Sequence, residues 1–226
     1  MKNFLLLKKD SEMTILGLDI SAKSSGWCVI DPVGPKILSQ GKYVLPKYYD
    51  GLTKNELLMQ SALMLFWKRV YSLVKLYKPD HVCAEDINIR HITTMRTLSQ
   101  FHAAAVLAIG LYNSKNKNNL ILNKVHNASI RSQFGFTVSP GVGTGKSRKD
   151  AQYMAMIDRI NRGDKKEKTF TFETLKEISK LAKIDFSKIM MILTIKKMFD
   201  IDYDWEDHDI ADAFAVAYTH YKRNLR

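Results

Sequence analysis

The chain has 226 residues and a formal net charge of +12, and 46% of it is apolar. That composition can bury a core, so a disordered chain is not the expectation, and its basic balance favours a polyanionic partner, because lysine and arginine gain by displacing counterions from phosphates. The only cysteines are Cys28 and Cys83, both in apolar, β-branched settings, and no histidine lies at zinc-finger spacing, so neither a disulfide framework nor a structural zinc site is expected. No segment has the length and apolarity of a membrane span, and the four-residue apolar run at Phe4–Leu7 is too short for a secretory core.

In chain order, residues 1–13 read as a tail. Thr14–Ile20 is a short apolar run that carries an aspartate near its end, as a central strand would. Strands follow at Gly26–Ile30 and Ile37–Leu45, separated by turn-forming residues, which predicts an antiparallel meander. Apolar residues three and four apart from Leu58 to Leu76 predict a long helix, which Lys78-Pro79-Asp80 stops. A buried strand at His81–Ile87, a helix over Thr93–Asn113 and a strand at Leu120–Val125 come next. A short helix begins at Asn127, a glycine-containing loop spans 135–145, and Ser147–Asn161 reads as helix. After a charge run at 162–168, residues 171–199 read as helical or mixed. Asp207–Tyr221 is a strong terminal helix. This order predicts an α/β fold with a mixed five-stranded sheet flanked by helices, over a single domain at 14–226 with an insert at about 162–204.

The carboxylates carry the chemistry. Hydrolysis of a phosphodiester needs an activated water and a stabilised leaving oxygen, and two Mg²⁺ ions roughly 4 Å apart can supply both. Such ions want hard oxygen ligands, and crowding acidic side chains makes sense only around a cation. Asp19 ends the first apolar strand and Glu85 ends the fourth. Asp209 and Asp212, three apart on the last helix, share a face, and the stripe Ile210, Ala213, Phe214, Ala217 would dock that helix on the sheet. Each alone has an ordinary reading, as a turn cap, an ion-pair partner or a helix-dipole acid. The order strand-Asp, strand-Glu, helix-Asp-x-x-Asp is the informative feature. Arg90, His91 and Arg96 follow Glu85 and are candidate phosphate contacts.

Other patterns weigh less. Gly141–Ser147 resembles a phosphate-binding loop, but Pro140 stands where its first glycine belongs. Asp200, Asp202 and Asp204 have calcium-loop spacing, but Trp205 and Ala211 replace the required glycine and glutamate. His208 reads first as a partly buried structural histidine, with orienting a water or a ligand as the alternative, and Asp207 as a spare ligand.

Residues 14–31, 83–106, 142–152 and 209–220 together resemble the RuvC-like Holliday junction resolvases, in a divergent, virus-like form. The resemblance implies an RNase H-like fold, a homodimer, branched DNA such as a four-way junction as partner, and DNA recombination and repair as the setting. It implies paired nicks dependent on Mg²⁺, two ions per site with Mn²⁺ as a substitute, held by Asp19, Glu85, Asp209 and Asp212. The family's phosphate-contacting loop lysine falls on Lys149, with Lys146 and Arg148 as neighbours. A cytoplasmic location, or a viral replication compartment within a host cell, goes with it. The family's aromatic three residues after the glutamate is Asn88 here, which leaves its wedge role unassigned or passed to Ile87 or Ile89. Two other classes compete: a phosphotransferase of the actin and sugar-kinase fold, which would bind ATP, and a catalytically weak junction-binding module.

Overall fold

A computed structural model describes residues 13–45, 56–87, 92–136, 145–162 and 170–226, with only the backbone for residues 93 and 145–149. Strands β1 (Ile15–Asp19), β2 (Ser24–Asp31) and β3 (Lys36–Val44) form the expected meander. Helix α1 (Glu56–Tyr77) leads to β4 (His81–Glu85), and α2 (Ile92–Asn116) leads to β5 (Leu122–Val125). Helices α3 (Asn127–Gln133), α4 (Gly145–Asn161), α5 (Phe172–Ala182), α6 (Phe186–Phe199) and α7 (His208–Asn224) complete the order. The sheet runs β3-β2-β1-β4-β5, with β1, β4 and β5 parallel. This is the α/β architecture that the sequence predicts.

The stretch at 171–199, ambiguous in sequence, is two capped helices. Thr171 accepts from the Thr174 amide, and Asp185 accepts from the Ser187 amide, so each helix has a fixed start. Residues Ile189 to Ile195 of α6 are all buried. A helical run buried on every side belongs inside a protein. The second half of the 162–204 segment is therefore core.

Strand parity assigns the two faces of the sheet. Leu16 and Leu18 join Val82, Ala84 and the inner faces of α1 and α2 in one buried cluster. Ile15, Cys28 and Cys83 join α6 and α7 in the other. Both cysteines are free and buried, as expected. On the α7 face, Gly17 and Gly26 leave the room that the helix needs. A Cβ on Gly17 would lie 2.2 Å from the Ala213 carbonyl oxygen, and one on Gly26 would lie 1.9 Å from the Asp209 carbonyl oxygen. Contact this close requires glycine.

His102 on α2 is buried, and its Nδ1 has no hydrogen-bond partner among the described residues. Burial, helped by the nearby Lys124 charge, pushes its pKa down to about 4, against a smaller upward pull from Asp86. A histidine depressed in the folded state contributes stability above its unfolded pKa and loses it as pH falls through the folded one. Stability should therefore drop by on the order of 3 kcal/mol between pH 6.5 and pH 4 from this residue. Urea unfolding at several pH values will read this as a slope that flattens in His102→Phe. An unchanged slope in that variant would show that His102 titrates normally.

Candidate metal and phosphate site

Asp19 and Glu85 are the last residues of adjacent parallel strands, so the sheet brings their carboxylates to the same edge. Parity points them to the face that α7 covers, since Asp19 shares it with Ile15 and Gly17, and Glu85 with Cys83. Register completes the arrangement. Asp19 pairs with Gly26, and Gly26 lies directly beneath the Asp209 backbone. The first turn of α7 thus sits over the end of β1, and Asp212 follows one turn on. The structure brings together all four carboxylates selected from sequence. Asp19 interacts electrostatically with Asp212, Asp209 and Glu85.

The cation among them is Lys188, in the first turn of α6. Its Nζ lies 3.0 Å from Asp209 Oδ1 and 3.4 Å from Asp212 Oδ2. It also lies 3.0 Å from His208 Nδ1, which is itself 2.7 Å from Asp209 Oδ1. The Ser24 hydroxyl donates to Asp209 Oδ2 at 2.5 Å, and Asn127 Nδ2 donates to Glu85 Oε1. These neighbours sort the carboxylates by charge. Burial opposes ionisation of Asp209, but hydrogen bonds from His208 and Ser24 and the Lys188 charge hold its pKa well below the usual range. Burial and the neighbouring Asp212 charge raise Asp19 well above that range. Burial likewise raises Asp212 and Glu85, against the opposing pull of Lys188 on both and of Asn127 on Glu85. Lys188 is raised: burial works against its charge, and Asp212, Asp19 and Asp209 outweigh it. A set of hard oxygens that repel one another and share one ammonium suits a divalent cation in charge and in donor chemistry. Among the described residues, no three acidic, histidine or cysteine side chains already converge as a metal cage.

Beside this cluster is a cleft of about 190 Å³. Glu85, Asp212 and Lys188 line one part of it, and Asn127 and Arg131 of α3 and Phe136 line another. The Arg131 guanidinium stacks over the Phe136 ring at 5.2 Å. The cleft therefore has basic groups next to carboxylates, as a site for a phosphodiester requires.

Of the basic candidates, Arg96 is exposed on α2. Lys146, Arg148 and Lys149 fall in the first turn of α4, where only the backbone is described. Arg90, His91, Asn88 and Ile89 lie outside the described residues, as does the glycine-containing loop before residue 145. Asp207, read as a spare ligand, instead pairs with Lys42 at 2.9 Å. His208 is more than structural, since its ring contacts both Asp209 and Lys188. Sequence reasoning missed Lys188, Arg131, Asn127 and Ser24. A usable signal for Lys188 was a lysine three residues past a capping aspartate, at the head of an otherwise apolar run. For α3 it was Asn127 and Arg131, four apart and so on one helix face.

No family model and no curated protein sequence matches the chain. Among solved structures, the Thermus thermophilus RuvC in complex with a Holliday junction substrate superposes with a TM-score of 0.56 at 11% identity, covering 93% of this chain and 95% of that one. A second T. thermophilus RuvC structure gives 0.54 at 13% identity, covering 93% and 96%. The chain has the RNase H-like fold of those proteins along nearly its full length.

Proposed function

We propose that this chain is a structure-selective endodeoxyribonuclease that resolves four-way DNA junctions by paired, metal-dependent nicks. The observation that carries the reading is the placing of Asp19, Glu85, Asp209 and Asp212 within electrostatic reach of one another at one edge of the sheet, with Lys188 bridging Asp209 and Asp212 beside a cleft with basic walls, on a RuvC-type fold. The junction substrate comes from the T. thermophilus RuvC complex and from the chain's +12 charge, which suits a polyanion.

The four carboxylates would hold two divalent ions, Mg²⁺ with Mn²⁺ as a substitute, which when bound supply a nucleophilic water and stabilise the leaving oxygen. The chain's own residues do the rest. Ser24 and His208 orient Asp209 and keep it ionised, and Asn127 fixes the Glu85 carboxylate. Lys188 and Arg131 flank the cleft and neutralise the charge that builds on the phosphate in the transition state. Lys188 is a further candidate for the phosphate role that the resemblance gives to Lys149, whose side chain lies outside the described residues. Arg96, Arg90 and the Lys146–Lys149 stretch serve as outer contacts to the DNA backbone.

Paired nicks require two sites, hence a homodimer. The outer face of α2 offers an apolar surface, with Val106 53% and Leu107 67% exposed, and open space beside Gly110. Among the described residues no helix is long and apolar enough to cross a membrane. A single nuclease domain over 14–226, acting in the cytoplasm or in a viral replication compartment, fits this reading.

The test is cleavage of labelled four-way junction, fork and linear duplex, in Mg²⁺ and in EDTA. Symmetric nicks in the junction that require Mg²⁺ support resolution. Equal cutting of forks and flaps broadens the substrate to branched DNA in general. Binding without cutting, in Mg²⁺ or Mn²⁺, leaves a junction-binding module.

Lys188→Met separates the lysine's two duties. Without metal, the variant leaves its carboxylates uncompensated, which should cost about 2 kcal/mol in EDTA after allowance for partial exposure. Mg²⁺ should recover most of that loss in urea unfolding, while cleavage stays down by roughly 10²-fold. A stability deficit indifferent to Mg²⁺ would place the lysine outside the ion-binding cluster.

A further inference from the structure

Strand parity divides the site edge in two at the ends of β4 and β5. Glu85 pairs with Val125, and Val125 is buried in the core beneath α7. The neighbours of that pair, Asp86 on one segment and Lys124 and His126 on the other, take the opposite face, which Ala84 and Leu122 share and α2 covers. The alternation holds through the last residues, since the Asp86 amide donates to the Val125 carbonyl at 2.9 Å and His126 is extended, with φ −66° and ψ 135°. The three side chains meet there. Asp86 Oδ1 lies 3.3 Å from Lys124 Nζ, and Asp86 Oδ2 lies 3.3 Å from His126 Nδ1. Asp86 Oδ1 also accepts from the Ile87 amide at 3.0 Å, which fixes the carboxylate.

This group stands one residue from the carboxylate cluster along both segments. Asp86 follows Glu85, and His126 precedes Asn127, whose side-chain amide donates to Glu85. Its cationic ends still face outward, with the Lys124 side chain 54% and the His126 side chain 76% exposed. Ion pairs this exposed add little to stability. What the carboxylate does supply is place: a lysine on a flexible stem spreads its charge over many positions, and Asp86 confines it. An ammonium has three donors and an imidazolium two, so each side chain can engage Asp86 and still offer a donor to a second anion.

We propose that Lys124 and His126, set in place by Asp86, form a second phosphate subsite, which takes a backbone phosphate next to the one that is cut. The bound strand then crosses the sheet edge from the α7 face, where the carboxylates lie, to the α2 face. What stands at the carboxylates rests on the nuclease reading above, whereas the contact itself needs only DNA binding. Asp86 is the positioning residue of the subsite, and Lys124 and His126 touch the phosphate.

Binding of a labelled four-way junction in EDTA reads the subsite without any chemistry. Lys124→Gln with His126→Gln is expected to weaken binding by about 10-fold and to lower the salt slope by about 1 to 2. Asp86→Asn gives the sharper sign. Removing an acid from a DNA-binding edge strengthens binding if charge alone counts, whereas loss of positioning weakens it, by about 3-fold, with the melting temperature within about 2 °C of wild type. Junctions carrying a single uncharged methylphosphonate, moved one position at a time through the crossover, then locate the contact by a double-mutant cycle. One position beside the nick should weaken wild-type binding and leave the Lys124→Gln, His126→Gln variant unchanged. Tighter binding by Asp86→Asn, or equal losses in wild type and variant at every position, overturns the subsite and leaves the nuclease reading intact. A wild type that shows the coupling at one position but never nicks the junction in Mg²⁺ overturns the nuclease reading and leaves the subsite as a DNA contact.

Discussion

Asp19→Asn will abolish cleavage and leave the protein as stable or more stable. Asparagine keeps the shape of the side chain and removes its charge. In the metal-free protein that charge is opposed by burial first, then by Asp212, Asp209 and Glu85, while Lys188 favours it. Removing it should add on the order of 1 kcal/mol in EDTA at pH 7. Cleavage should fall by at least about 10³-fold, since no neutral amide replaces an anionic ligand set between two strands and a helix. Junction nicking and urea unfolding on the same preparation check both halves. A variant that is inactive and also markedly less stable would make Asp19 a structural residue, and the reading of the cluster as a site would lose its centre.

The second large effect is in the backbone. Gly26→Ala places a methyl group 1.9 Å from the Asp209 carbonyl oxygen, which is main chain and cannot swing aside. Helix α7 must lift by more than an ångström or the strand must bend. The cost should exceed ~3 kcal/mol, or roughly 6–12 °C in melting temperature for a chain of this length. Gly110→Ala is the counterpart. It meets nothing within 4 Å, sits inside α2, and should be neutral or stabilising by up to about 1 kcal/mol. Thermal unfolding of the pair decides the matter. Equal melting temperatures would mean that α7 does not press on β2 closely enough to exclude a methyl group at position 26.

What could be read in the sequence follows from where each signal is local. The strand ends at Asp19 and Glu85 stand out because a charge closes an apolar run, and Asp209 with Asp212 stands out because helix period puts them together. Their convergence also follows from strand order, once β1 and β4 are taken as parallel neighbours. Lys188 was not legible in that way. It is brought to Asp209 by the packing of α6 on α7, and the run that follows it, Ile189 to Ile195, is buried all round, so it has no amphipathic period to mark which face looks where. Arg131 and Asn127 depend likewise on α3 meeting the end of β4, with Asn127 and Glu85 separated by 42 positions in sequence. The resemblance supplied a loop lysine at Lys149, in a stretch whose side chains are not described, while the lysine at the carboxylates comes from a helix that the sequence suggested was inserted.

Helix α7 has one further consequence. The residues Ile210, Ala213, Phe214 and Ala217 that seat it in the core belong to the same few turns as buried Asp209 and as Asp212, which lines the cleft. No hinge or loop separates the two duties. Partial loosening cannot spare one and harm the other, so there is no folded yet siteless state for the chain to occupy on heating. Thermal inactivation and loss of tertiary structure should then trace a single curve, and damage anywhere along this helix will be read as lost function before it is recognised as lost packing.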